Sequence, residues 1–281
     1  MNAVYLFMHQ NKPNVKELTR QAAVAFHSAG ISVSCEPWLA AWMGKEADDL
    51  FQREDSPFDA VVSIGGDGTF LRANQFAVLR GVPMFGVNVG RIGFLAEIEL
   101  DQLAEACKEL KAGAYSMESR MMLEAVCETG ETFCALNDIV VSRGGYARLI
   151  AINAWVDQEL VGRYIGDGLI VSTPTGSTGY SLSAGGPIVF PGVNCIILSP
   201  VCAHSLQHRP VVISSQQTVT LELDCDPTQQ AQLSTDGQDA LYLSGKQRVV
   251  ITCAGQQAHF IRFHGQAFFS VIRQKLSEWS C

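Results

Sequence analysis

The chain has 281 residues, 47% apolar and 17% charged, with a formal charge of −8 and an isoelectric point near 5.2. That length suits one large domain or two smaller ones with ample core. The acidic balance weighs against a nucleic-acid binder, which needs a basic surface, and no run approaches the ~20 apolar residues of a membrane span.

The first hundred residues alternate strand and helix signals. AVYLFM (3–8) reads as a short strand. A helix follows, with Val15, Leu18, Ala22 and Ala25 on one face, Asn14 as its N-cap and Gly30 as its stop. ISVSCEP is a second strand and AVVSI a third, unbroken in apolar residues and therefore buried. The helix TFLRANQFAVLRG leads to a fourth strand, VPMFGVN. This rhythm predicts a parallel sheet with helices on its faces, a Rossmann-like α/β domain over 1–100. A further helix, DQLAEACKELKAG, carries Leu103, Cys107 and Leu110 on one face.

From about Tyr115 to Phe263 the helical period fades and short β-rich runs take over: MMLEAVCE, FCALNDIVVS, RLIAINAWV, GLIVST, NCIILSP, TVTLELD, RVVITC and AHFIRF. Their spacing predicts a β-sandwich-like domain over 101–264. The closing AFFSVIRQKLSEW, within about 265–281, is an amphipathic helix that could pack back on either half.

Three stretches carry chemistry. GGDGT sits between the third strand and its helix, where open α/β sheets bind ligands. Glycines there let backbone approach an anion, and the helix start offers free N–H groups. Asp67, which would repel a phosphate, then serves as a proton acceptor, as a holder of Mg²⁺ or as a plain helix cap. The loop is neither a Walker loop nor a G-x-G-x-x-G fingerprint. Residues 167–192 pack Ser172, Thr173, Thr175, Ser177, Thr178, Ser181 and Ser183 among glycines, with Tyr180 suited to stacking on a base. Asn137 and Asp138 interrupt a strand-like run, at a bulge or at a ligand.

His204 and His208 are spaced as a helical metal pair but lack an intervening Glu and a third ligand. The nine cysteines form no C-x-x-C pair and read as free thiols of a reducing, cytoplasmic compartment. The N-terminus has no basic segment or cleavage site of a signal peptide.

Taken together, GGDGTFLRA, the Asn137–Asp138 pair, DGLIVSTPTGSTGYSLSAGGPI, SPVCAHSLQHRPVV and STDGQ resemble the motifs of the bacterial NAD kinase family, in order and over nearly the whole chain. GGDGT alone is shared with lipid kinases, whereas the long Thr/Ser/Gly stretch is specific. The resemblance implies an N-terminal α/β domain followed by a β-sandwich-like domain, with the last helix returning to the first. It implies transfer of the γ-phosphate of ATP to the 2′-hydroxyl of the adenosine ribose of NAD, making NADP. Asp67 would be the general base, with Mg²⁺ carried mainly by the ATP phosphates and no metal ligand firmly assigned. Gly66, Gly68, Thr69 and Arg72 would lie on the phosphate side. Asn137, Asp138, Thr175, Thr178, Gly179, Tyr180, Ser181, Leu182 and Ser183 would line the nucleotide pocket, with Arg148, Asp167 and Gln238 as further contacts. Self-association as dimer or tetramer is implied, with nucleotides as the other partners and neither nucleic acid nor membrane. The chain departs from the family pattern at Asp138, usually Glu, at Gly179, often Ala, and at Ile165, often basic, with Arg163 nearby. Two other readings of the motifs are a lipid or sugar kinase sharing only GGDGT and a non-catalytic NAD(P)-binding regulator.

Overall fold

The computed structural model describes residues 1–10, 14–53, 56–90, 93–144, 149–205, 207–226, 229–263 and 268–278. The chain opens with β1 (Ala3–Met8), α1 (Val15–Ser28), β2 (Ser32–Cys35), α2 (Pro37–Met43), α3 (Ala47–Leu50), β3 (Ala60–Gly65), α4 (Asp67–Arg80), β4 (Met84–Asn88), the two-residue β5 (Ile98–Glu99) and α5 (Leu103–Ala112). It continues through β6 (Ser116–Cys127), β7 (Thr132–Ala135), β8 (Asp138–Arg143), β9 (Ile150–Val156), β10 (Glu159–Gly166), β11 (Gly168–Ser172) and a single helical turn, α6 (Tyr180–Ser183). β12 (Cys195–Val201), β13 (Val211–Ser214), β14 (Val219–Leu223), β15 (Gln230–Thr235), β16 (Gln238–Ser244), β17 (Arg248–Arg262) and α7 (Phe268–Glu278) complete it.

Two compact units result: Met1–Ser119 with Ala258–Cys281, and Arg120–Gln257. In the first, β2, β1, β3 and β4 run parallel in that order, and Phe260 of β17 adds beside Met84 of β4. Apolar residues fill both faces of β3, as its unbroken sequence predicts. α1 docks through Val15, Ala22 and Phe26. Asn14 occupies the N-cap position in the left-handed region, without a capping side-chain bond, and Gly30 ends the helix at φ +68°. The first unit extends to residue 119, past the boundary expected near 100. The reason is packing: Leu103, Ala106, Cys107 and Leu110 of α5 share a core with Val4, Leu6 and Phe26. α7 belongs to this unit.

The second unit is a sandwich of two mainly antiparallel sheets. One has the order β10-β9-β14-β17, with the hairpin β6–β7, and the other β13-β12-β11-β8-β15-β16. Leu123, Val141, Ile152, Leu169, Leu221 and Leu233 meet in its core. Strand β14 alternates buried and half-buried residues, the signature of one covered face. Strand β11 is buried throughout, because a loop packs over its outer face.

Candidate functional site

In the first unit the chain runs from β1 to β2 on one side and to β3 on the other, so the sheet order reverses between β1 and β3. Ligands of open α/β sheets bind at such switch points, outside the carboxyl ends of the strands. GGDGT leaves β3 there. Gly66 is the N-cap of α4 and Asp67 the first helical residue, so Asp67 is not the cap. Its carboxylate instead accepts the N–H of Phe94 at 2.9 Å and the N–H of Leu95 at 3.2 Å. Two backbone donors from a separate loop therefore set its orientation.

The glycines around Asp67 divide into two kinds. A Cβ on Gly93 would collide with the Asp67 carboxylate, and one on Gly65 would collide with the Thr69 side chain. Those two are required by internal packing. A Cβ on Gly66 or Gly68 would meet nothing within 4 Å among the described residues. Nothing described within the protein asks those two positions to be bare, which is what a bound anion would ask of them. Thr69 is buried, whereas Arg72 lies over the Phe7 ring at 5.4 Å. Among the described residues that guanidinium has no hydrogen bond or ion pair, leaving its five donors for an anionic ligand.

In the second unit, Asn137 and Asp138 stand at the break between β7 and β8, which the sequence reads as one run. The cause is Asp236. Its carboxylate accepts the N–H of Leu136 at 2.9 Å, of Asn137 at 2.7 Å and of Asp138 at 3.3 Å. Thr235 pairs with Gln238, leaving Asp236 and Gly237 as a two-residue turn with φ +52° and +74°. Positive φ at both positions is the type I′ pattern of tight hairpins. The other side is held by the residue that follows β11: Thr173 N–H donates to the Asn137 carbonyl at 2.8 Å and the Thr173 hydroxyl to that of Leu136 at 2.6 Å. The break is thus built in, by a motif the sequence shows only as STDGQ.

The Ser/Thr-rich stretch folds as a 3₁₀ turn, Gly176–Thr178, followed by α6. Several of its hydroxyls are used inside the loop. Thr175 accepts from Arg120, Ser177 donates to the Pro174 carbonyl, Thr178 donates to the Thr175 carbonyl, and Ser181 pairs with Ser199. Those side chains are buried and shape the loop, while Tyr180 and Ser183 stand exposed and Gly179 and Leu182 half-buried. A Cβ on Gly179 would lie 3.5 Å from the Asn137 amide nitrogen and 3.9 Å from the Asp138 carboxylate. The loop therefore brings Gly179 over the Asn137–Asp138 pair.

Of the buried polar atoms with no hydrogen-bond partner among the described residues, two belong to predicted site residues: Asn137 Oδ1, an acceptor, and Gln238 Nε2, a donor. Buried groups of that kind are rare, and ligand atoms are one way to satisfy them. Asp167 is ion-paired with Arg143 at 2.9 Å, and Arg163 with Asp224 at 2.9 Å. Arg148 lies outside the described residues. The His208 ring lies 4.5 Å from that of Tyr164, tilted by 39°, and neither His204 nor His208 is in a helix, so the two do not share a helix face.

Burial, and then the charge of Asp236, push the Asp138 carboxyl from its ordinary 3.8 to about 7. Burial pushes Asp236 to about 6, against its three N–H donors, which favour the ionised form. Both acids hold protons to higher pH folded than unfolded. The stability this gives is complete below about pH 4 and is lost as pH rises through about 6 to 7. Asp138→Asn is therefore expected to raise the stability of the unliganded protein by on the order of 3 kcal/mol at about pH 8, and by much less at about pH 5. Thermal melts at both pH values test this, and a gain that does not change with pH would contradict it.

Residues 5–115 match the family model described as ATP-NAD kinase N-terminal domain, and residues 136–263 the one described as ATP-NAD kinase C-terminal domain. The chain is 37% identical to an NAD kinase of Moorella thermoacetica over 281 residues, which is 99% of this chain and 90% of that one. It is 41% identical to an NAD kinase of Gemmatimonas aurantiaca over 239 residues, 83% and 82% of the two chains. Among solved structures it is similar to an NAD kinase from Archaeoglobus fulgidus in complex with ATP, with a TM-score of 0.72, 26% identity and 97% and 99% of the chains covered. Its fold is also that of yeast NADH kinase complexed with NADH, with a TM-score of 0.88, 24% identity and 99% and 88% covered. With both family domains in order along one chain, and relatives sharing more than a third of its residues, the chain belongs to the ATP-NAD kinase family.

Proposed function

We propose that the chain phosphorylates NAD, taking the γ-phosphate of ATP onto the 2′-hydroxyl of the adenosine ribose and releasing NADP and ADP. The observation that carries this is the Asp67 carboxylate, held by the Phe94 and Leu95 amides at the carboxyl end of β3, between two glycines that no internal contact requires. Each oxygen receives one N–H and keeps lone-pair capacity for a further donor. Asp67 takes the hydroxyl proton as the sugar oxygen bonds to the γ-phosphorus and the bond to the ADP oxygen breaks. Gly66 and Gly68 admit the phosphates, Arg72 faces them, and the start of α4 adds N–H groups. Asn137 Oδ1 and Gln238 Nε2 supply one acceptor and one donor, the pair an adenine edge satisfies. Gly179, Tyr180, Leu182 and Ser183 line the same pocket, with Tyr180 stacked on a base.

A divalent cation would enter this site with the substrate. No group of three His, Cys, Asp or Glu able to hold a metal occurs among the described residues. Mg²⁺ would therefore keep mostly phosphate and water ligands, with Asp67 the carboxylate within its reach. When bound, it offsets the negative charge of the phosphates.

The reading extends to a cytoplasmic, self-associating protein. The eight described cysteines are free, which suits a reducing compartment. Ile188, Phe190, Val193 and Val212 stand exposed, which suits contact with another copy. Purified protein given ATP, Mg²⁺ and NAD is expected to form NADP, with other nucleoside triphosphates, polyphosphate and NADH as comparison donors and acceptor. No NADP with any donor would overturn the reading, and phosphorylation of a lipid or sugar in its place would replace it.

A further inference from the structure

Asp67 depends on a loop that has no regular structure of its own. Residues 93–97 lie between β4 and β5, and Leu95 is buried there. Leu95 is held at both ends of its backbone. Its N–H donates to Asp67, and its carbonyl accepts Nη1 of Arg262 at 3.2 Å. Arg262, at the end of β17, is far away in sequence and its side chain is only 13% exposed. A buried guanidinium is costly unless its charge and donors are met. Here Nε donates to Glu118 at 2.6 Å, Glu97 lies 3.6 Å from Nη1, and the Phe260 ring lies 5.3 Å beneath. The Glu118 hydrogen bond, with the longer Glu97 ion pair and the ring beside it, thus holds the guanidinium, the guanidinium holds the Leu95 carbonyl, and the Leu95 amide holds the Asp67 carboxylate. Gly93 completes the cradle, since any side chain there would push the carboxylate off its two donors.

We propose that Arg262 is a positioning residue for catalysis, acting through the Leu95 backbone to hold Asp67 at the acceptor hydroxyl. This rests on the reading of Asp67 as the general base. A misplaced base costs turnover rather than substrate affinity, and misplacement on the ångström scale can cost about 10²-fold. Arg262→Gln is therefore expected to lower kcat by about 10- to 100-fold while leaving KM for NAD and ATP within about twofold. Arg262→Lys, which keeps the charge and one donor, should recover part of the loss.

A double-mutant cycle with Asp67→Asn is the test. Arg262→Gln should change the residual turnover of Asp67→Asn by less than about twofold, because the group it positions is gone. An equal loss in both backgrounds, or no loss in the wild type, would overturn the proposal while leaving the general-base reading intact. Wild-type turnover in Asp67→Asn alone would remove the general-base reading and this proposal with it. If Arg262→Gln does not fold, Gly93→Ala moves the same carboxylate without touching the ion cluster. It should show the same loss of kcat at unchanged KM, and full turnover there would overturn the proposal.

Discussion

Asp67→Asn is expected to lower kcat by ~10²- to 10⁴-fold, the range over which a positioned proton acceptor acts. The substitution is close to isosteric, so β3, α4 and the docking of Phe70 and Leu71 should survive. It has a local cost. The Asn side chain can accept one of the Phe94 and Leu95 N–H groups, but its NH₂ would face the other donor, an unsatisfied pair worth about 1–3 kcal/mol. A modest fall in melting temperature should therefore accompany the loss of turnover, with KM for NAD changed by about threefold or less. Asp67→Ala separates the two effects. It removes the acceptor as well as the base, so it should melt lower than Asp67→Asn yet turn over no more slowly. Wild-type kcat in either variant would end the assignment.

Gly176→Ala is expected to remove nucleotide binding and to destabilise the second unit. A Cβ there would overlap the Asn137 carbonyl oxygen, lie 2.5 Å from its carbon and 2.6 Å from the Ser172 hydroxyl. Two of those three atoms are backbone, so no rotamer change relieves the contact. The 3₁₀ turn would have to move away from the Asn137–Asp138 break, and Gly179 with it. Overpacking of this kind costs about 1–3 kcal/mol. Gly66→Ala gives the contrast: its Cβ would meet no described atom within 4 Å, and its φ of −106° suits any residue. Its melting temperature should match the wild type while KM for ATP or NAD rises. Calorimetric titration with NAD and thermal melts of both variants check the pair, and normal NAD binding by Gly176→Ala would show that the loop tolerates the shift.

The cysteines follow the same logic of burial. Desolvation pushes the Cys107 thiol to about 12, so it packs as a small apolar side chain rather than as a nucleophile.

The order of the main elements in the first unit was legible in the sequence, because β3 is a continuous apolar run and α1 has a largely apolar face with Gly30 at its end, although that face also buries Thr19. The second unit was legible as β-rich but not strand by strand. β10, β13 and β16 are sheet edges, where one neighbour and one wet face leave little apolar signal. β15 reads QAQLST and hides only alternate residues. α2 and α3 are too short for a helical period to show.

Residue identities alone determined that a lone carboxylate follows the third strand, and that Asn137–Asp138 and the Ser/Thr loop are dense in polar groups without an evident local use. Which contacts each group makes was decided by the tertiary structure. The sequence shows Thr175, Thr178 and Ser181 only as hydroxyls, whereas the structure shows Arg120, the Thr175 carbonyl and Ser199 engaging them. STDGQ marks Asp236 as part of a motif but not its role, and Arg262 carries no signal at all, because the amides and carbonyl they meet lie 98–100 and 167 residues away. Hydrogen bonds act over about 3 Å of space whatever the separation along the chain. Sequence patterns register periodicity and turns within a few residues, and only folding shows which amide meets which carboxylate.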